Sequence, residues 1–176
     1  MTAPWEHEHA FSALVQQHFE RAVRFCARML GNRTEGEEVA QQAFVRLYER
    51  KSDLEDKENP ETYLFAILRN ACLDHIRSNK REHDKRARSF SGDALTPDLS
   101  HAERREVEEA LMKAVGELQE SQREVVLLRF YEGLSLADVA KATDQTLGAV
   151  AMKLARAKAA LHEKLGKLPQ VAEYTQ

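Results

Sequence analysis

Turn formers are scarce in this chain, with 7 glycines and 4 prolines among 176 residues. That is too few for an all-β architecture of many short strands. Cysteine is scarcer still, Cys26 and Cys72 alone, so no disulfide framework staples the fold. No apolar run approaches the roughly 18 residues that a membrane-spanning helix needs, and no membrane insertion is expected. The N-terminus reads Trp5-Glu6-His7-Glu8-His9. It lacks the basic and apolar regions of a secretory signal, so the expected compartment is the cytoplasm. No nucleophile stands with a base, no Gly-rich loop cradles a phosphate, and no carboxylates pair inward. An enzyme reading therefore has no support, and no cofactor is expected. His7 and His9 beside Trp5 fall short of a metal-ligand set on a frayed terminus. Cys26 and Cys72 lie on apolar helix faces, where cysteine serves as a small core residue and a redox switch is the alternative.

What is present is an ordinary globular balance, 43% apolar and 31% charged, with a net charge of −3. The charge is unevenly spread. Residues 31–61 carry nine acids against five bases, residues 68–88 seven bases against three acids, and residues 151–167 five bases against Glu163 alone. Two basic segments on a near-neutral chain suggest two local polyanion contacts. The plainer alternative is that these cations only solvate helix faces.

The apolar pattern is helical almost throughout. Phe11, Leu14, Val15, Phe19, Ala22, Val23, Cys26, Met29 and Leu30 recur at three- and four-residue steps, one stripe of a long amphipathic helix that Gly31-Asn32 stops. Thr34-Glu35-Gly36-Glu37 reads as a capping box opening a second helix, with Val39, Ala43, Phe44 and Leu47 inward and Tyr48 at the margin of that stripe. Residues 51–58 are charged and aperiodic, a loop. Asn59-Pro60 opens a third helix, Asn as cap and Pro at the first helical position. Its inner face is Leu64, Ile67, Leu68, Ala71, Cys72 and Ile76. Residues 79–101 lose the pattern and read as a flexible polar linker. Periodicity returns near 102 with Val107, Ala110, Leu111, Ala114, Val115 and Leu118. Ser121-Gln122-Arg123-Glu124 reads as another capping box ahead of Val125–Leu128, and Gly133 ends that helix. Ser135 caps a short helix through Ala142, and Thr146 a long one carrying Val150, Leu154, Ala157, Leu161 and Leu165. The expectation is all-α: two small helical modules, residues 8–80 and 103–168, joined by a linker over 81–102.

A short helix, a tight turn at Asp144 and a longer helix with outward cations describe a helix-turn-helix. Small Ala140 lets the two helices approach, and Val150 and Leu154 lock them. Lys153, Arg156 and Lys158, with the tips of Gln145 and Thr146, form an outer face suited to a DNA groove, phosphates meeting cations and the helix start reaching base edges. A three-helix structural bundle would carry a similar pattern.

The residue strings are more specific than the pattern. The stretch Gln122 to Ser135 (QREVVLLRFYEGLS) resembles the opening of region 4 in bacterial sigma factors, and Asp138-Val139-Ala140, Gly148-Ala149-Val150 and Leu154 to Lys158 continue its order. Glu38 to Phe44 (EVAQQAF) resembles the region 2 helix that docks on RNA polymerase. Tyr63 to Asn70 (YLFAILRN) and Leu73 to Arg77 (LDHIR) resemble the adjoining DNA-melting helix. The resemblance covers roughly residues 11–166, with both modules in order. The chain resembles a small two-domain sigma factor of the extracytoplasmic-function type, group IV of the sigma-70 family.

That resemblance implies a function. The first module would bind the β′ clamp helices of core RNA polymerase through Glu38, Gln41, Gln42 and Arg46, and would open the −10 element with Asn59, Arg69, Asn70, Arg77, Lys80 and Arg81. Asn70 would contact an extruded base, its amide satisfying a base edge, with the loop from Asp53 to Asn59 forming part of the pocket. The second module would bind the β flap and read the −35 element through Gln145, Thr146, Ala149, Met152, Lys153, Arg156 and Lys158. The linker would thread the active-site and RNA-exit region, and an anti-sigma protein would cover the polymerase-binding faces. The chain departs from the family pattern in places. Glu38 stands for the usual Asp, Tyr63 for Trp and Ala66 for a basic residue. The turn is Thr143-Asp144-Gln145-Thr146, and the recognition helix starts Gly148-Ala149-Val150-Ala151-Met152-Lys153, one cation short. Two rival readings remain: a free-standing, dimeric helix-turn-helix regulator, and an adaptor that contacts polymerase without reading DNA.

Overall fold

The computed structural model describes residues 4–50, 59–83 and 102–166. Among these the chain is helical: α1 Pro4–Leu30, α2 Arg33–Glu49, α3 Pro60–His83, α4 Ala102–Gly116, α5 Glu120–Val126 with a wider turn Leu127–Tyr131, α6 Leu136–Thr143 and α7 Leu147–Leu165. No described helix is long and apolar enough to cross a membrane. The loop over 51–58, most of the 81–102 linker, the tail Leu168–Gln176 and the side chains of Trp5 and His7 lie outside the described residues.

The helix starts follow short-range chemistry. Asn59 caps α3, its Oδ1 accepting from Thr62 N–H at 3.1 Å, with Pro60 in the first helical position. Ser135 Oγ accepts from Asp138 N–H at 3.1 Å and Thr146 Oγ1 from Ala149 N–H at 3.2 Å, capping α6 and α7. Two expected caps are corrected. The cap of α2 is Asn32, not Thr34: Asn32 Oδ1 accepts from Glu35 N–H and Asn32 Nδ2 donates to Glu35 Oε1, both at 3.2 Å. Asn is the stronger capping residue, and Glu35 stands at the reciprocal third position. Ser121 is not a cap either. Helix α5 begins one residue before it, after Gln119, and α5 has no side-chain cap bond. Glu124, freed from that role, points elsewhere.

Two other boundaries moved. Helix α1 begins at Pro4, ahead of the expected module start at residue 8 and of the apolar stripe that opens at Phe11, and α3 runs to His83, past the point where its apolar pattern ends. Helix α5 widens at its end: Glu132 N–H bonds to Leu127 C=O, five residues back, and Gly133 in the left-handed region (φ 73°) turns the chain away. Asp144 takes the same region at φ 53°, as the helix-turn-helix turn requires.

The first module packs α1, α2 and α3 around Phe25, Met29, Leu47, Leu64, Phe65 and Leu68, all fully buried, with Phe25 edge-on to Phe65 at 5.4 Å. Gly36 is the close approach between α1 and α2: a Cβ there would sit 2.4 Å from Ala27 N. The second module closes α4 to α7 over Val115, Val125, Leu127, Leu128, Val139 and Val150. Arg123, itself buried, donates to the C=O groups of Gly116 at 2.6 Å and Leu118 at 3.0 Å, completing the end of α4.

The modules also pack on each other, which the pattern did not foretell. Helix α3 lies against α6, and α1 against α5 and the turn after it. Arg123 Nη1 donates to Met29 C=O at 2.8 Å across the boundary. Arg21 bonds Glu132 through Nε to Oε2 (3.2 Å) and through Nη2 to the backbone C=O (3.1 Å), and Arg28 lies 4.6 Å over the Tyr131 ring.

Candidate nucleic-acid and partner interface

Helix α2 buries Val39, Ala40, Ala43, Phe44 and Leu47, which leaves Glu38, Gln41, Gln42 and Arg46 on its exposed side. Gln42 Nε2 donates to Glu38 Oε1 at 3.3 Å, so the two share one turn-to-turn patch. Sequence reasoning missed Val45, 60% exposed between them. Its signal was its position off the buried stripe.

Helix α3 carries the residues assigned to melted DNA. Asn59 is spent on capping. Asn70 is exposed, and its Oδ1 accepts from Arg69 Nη1 at 2.9 Å. Arg77, seven residues on, shares its face and pairs with Asp74 at 3.4 Å. Lys80 and Arg81 belong to α3, but their side chains lie outside the described residues. Arg69 reaches both ways: besides holding Asn70, its Nε donates to Glu124 Oε2 of the second module at 2.7 Å. His75 Nε2, 2.9 Å from Glu35 Oε2, ties α3 to the start of α2.

In the helix-turn-helix, Ala140, Val139 and Val150 are buried as the small-residue contact requires. Gln145 N–H closes onto Ala140 C=O at 3.0 Å around Asp144. Met152 (56% exposed) and Arg156 face outward, with Ala149 half-buried beside them. Thr146 is exposed, its hydroxyl holding the cap. Lys158 is exposed too, but two residues beyond Arg156 it points about 160° away around the helix. Lys153 is drawn inward, its Nζ 3.7 Å from Glu124 Oε1. Gln145 turns the same way, its Nε2 donating to Glu124 Oε1 at 3.3 Å.

Glu124 is a second residue that sequence reasoning missed. Its side chain is 3% exposed, yet it receives Arg69, Gln145 and Lys153. The available signal was a charged pair, Arg123-Glu124, leading a fully apolar run. Nearby, burial raises the Glu132 carboxyl above its ordinary range despite the opposing Arg21, Arg28 and Arg24. Burial also raises the Cys72 thiol, reinforced by its neighbour Cys26, and both thiols are free and buried. That is core behaviour, remote from either exposed face. No group of three or more metal-ligating side chains occurs among the described residues.

Both modules are similar to known proteins. Residues 14–82 match the family profile described as Sigma-70 region 2, and residues 108–161 match Sigma-70, region 4. The chain is 26% identical over 170 residues to the ECF RNA polymerase sigma factor SigW of Bacillus subtilis, covering 90% of each. It is 27% identical to the RNA polymerase sigma-H factor of Pseudomonas aeruginosa, covering 90% of this chain and 88% of that one. In fold it is similar to the sigma factor RpoE of Bartonella quintana, solved with the anti-sigma factor NepR, at a TM-score of 0.74 and 22% identity. That match covers 90% of this chain and 98% of the other.

Proposed function

From the premise that the chain belongs to the sigma-70 family of RNA polymerase sigma factors, in its extracytoplasmic-function branch, we propose the following division of labour. As a sigma factor it binds core RNA polymerase and directs promoter-specific initiation of transcription. It is a group IV member acting in the cytoplasm, and it performs no bond chemistry of its own. It supplies binding energy that positions polymerase and traps melted DNA. Residues 8–80 dock on the β′ clamp helices through Glu38, Gln41, Gln42 and Arg46, and capture the −10 element along Asn70, Arg77, Lys80 and Arg81. Residues 103–168 bind the β flap and present Thr146, Ala149, Met152 and Arg156 to the −35 element, with Gln145 and Lys153 at the rim. Residues 81–102 are the tether between them.

One observation carries this reading: two family profiles match in order along one chain, each on its own helical module. The free α2 face and the helix-turn-helix support it. The sigma-factor relative solved with NepR supports an anti-sigma partner here as well. The test is run-off transcription on fragmented genomic DNA with core polymerase, with and without the protein. New transcripts sharing upstream elements are expected. Tight core binding without transcripts would leave an adaptor. Operator binding by a dimer indifferent to core would replace the proposal with a free-standing regulator.

A further inference from the structure

The carboxylate of Glu124, on α5, is 3% exposed and serves two sets of partners. From the first module it receives Arg69 on Oε2 at 2.7 Å. From its own module it receives two side chains on Oε1. Gln145 of the turn donates from Nε2 at 3.3 Å, and Lys153 of α7 brings its Nζ to 3.7 Å. This second set is internal to the helix-turn-helix module and ties the turn and the recognition helix to α5. Gln145 commits its donor end to Glu124 even though its Oε1 is left buried, without a hydrogen-bond partner among the described residues.

Lys153 has two directions open to it. It precedes Arg156 by three residues, so the two side chains leave the helix only about 60° apart. Its long stem could therefore carry the ammonium out to the face that Met152 and Arg156 present. It is turned inward instead, its side chain 28% exposed against Glu124. A DNA phosphate is a poor exchange for that partner. An ion pair with phosphate lies in solvent and is screened by salt, whereas a pair with a buried carboxylate is screened much less. Leaving Glu124 would also strip a buried charge of one of its cations.

We propose that Glu124 is a positioning residue of the −35 reader that masks Lys153. It keeps one cation of the recognition helix off the phosphate backbone and fixes the Gln145 amide at the turn. Arg156 is then the cation facing outward beside Met152, and readout leans on Thr146, Ala149, Met152 and Arg156. A phosphate contact carries no sequence information. Masking one therefore lowers the affinity for any duplex, and its salt dependence, while leaving the preference for one sequence over another in place. This deepens the reading of residues 103–168 as the −35 binder and rests on it.

The test is fluorescence anisotropy with the full chain and two duplexes, one of mixed sequence and one carrying the −35 element found by run-off transcription. Salt is varied from about 50 to about 200 mM. Glu124→Gln keeps size and removes the charge that holds Lys153. It should tighten both duplexes alike and steepen the slope of log affinity against log salt by about 0.9, so that the loss across that range grows about 3.5-fold. Adding Lys153→Met should cancel the steepening, whereas Lys153→Met by itself should move the slope much less. An unchanged slope in Glu124→Gln, or effects of the two mutations that simply add, would overturn the masking. A steepening that survives Lys153→Met would come from elsewhere, the released Arg69 included, and would overturn it too. Lys153→Met leaves Glu124 paired with Arg69 and bonded to Gln145, so it also serves if Glu124→Gln does not fold: a slope lowered by about 0.9 in that variant alone refutes the proposal. The mixed-sequence duplex needs no promoter, and run-off transcription with core polymerase reports the sigma-factor reading separately, which keeps the two failures distinct.

Discussion

Replacing Gly36 with alanine tests how α2 is held against α1. The added Cβ would lie 2.4 Å from Ala27 N, 2.5 Å from Ala27 Cα and 2.9 Å from Ala27 Cβ. Two of these are backbone atoms, so no side-chain rotation relieves the clash. Ordinary contact needs about 1 Å more, and the helices must separate by that amount. Overpacking of this kind costs about 1–3 kcal/mol, with a rigid backbone obstacle favouring the upper end. Alanine gives back up to about 1 kcal/mol of helix propensity. The net is a destabilisation of about 1–2 kcal/mol, a fall in Tm of roughly 2–8 °C for a cooperative chain of this size. Thermal melts followed by far-UV circular dichroism measure it. Gly148→Ala is the internal control: it adds a Cβ with nothing within 4 Å, so it should be neutral or slightly stabilising. Equal melting of Gly36→Ala and Gly148→Ala would refute the close-approach argument. Displacing α2 also moves Glu38, Gln41 and Gln42, so Gly36→Ala should weaken core binding as well.

Arg123→Met strands the carbonyls of Met29, Gly116 and Leu118 and should destabilise the chain by about 2–4 kcal/mol in urea titrations; a loss under about 1 kcal/mol would contradict that role. Burial raises the folded-state pKa of Glu132 above its unfolded value, so the folded chain gains stability from Glu132 as pH falls through that raised pKa and carries the full charge cost above it. The stability of Glu132→Gln relative to wild type should therefore improve from pH 4 to pH 8, and denaturant midpoints running the opposite way would refute it. Arg156→Ala should weaken −35 binding: a phosphate contact lowers the salt slope by about one, whereas a base contact costs about 1–3 kcal/mol and relaxes specificity. Unchanged promoter use would remove Arg156 from the interface. Glu38→Lys with Gln41→Ala, both at exposed positions, should reduce polymerase affinity without lowering Tm, and normal affinity in pull-down or anisotropy would count against α2 docking.

Much of the architecture was legible. The caps at Asn59, Ser135 and Thr146, the left-handed turn at Asp144 and the buried stripe of α2 all follow from residues a few positions apart. The misplaced caps had the same local character: Asn32 and Thr34 compete for one helix start, and only the backbone path decides between them. Surface patches were partly legible. Glu38, Gln41, Gln42 and Arg46 fell off the apolar stripe and are exposed, but Lys158, grouped by proximity with Arg156, points another way. Lys153 read as an outward cation because no neighbour in the chain suggested otherwise.

By itself the sequence determined the helices, their order and the two modules, because helical periodicity and capping act within about one turn. It also carried the residue strings that identify the family. Tertiary structure alone decided what Glu124, Arg69, Arg21 and Glu132 do. Arg69 and Glu124 are 55 positions apart, Arg123 and Met29 are 94, and Arg21 and Glu132 are 111. No local rule links such residues. Only the packing of one module on the other brings their charges within reach and removes the water that would otherwise separate them.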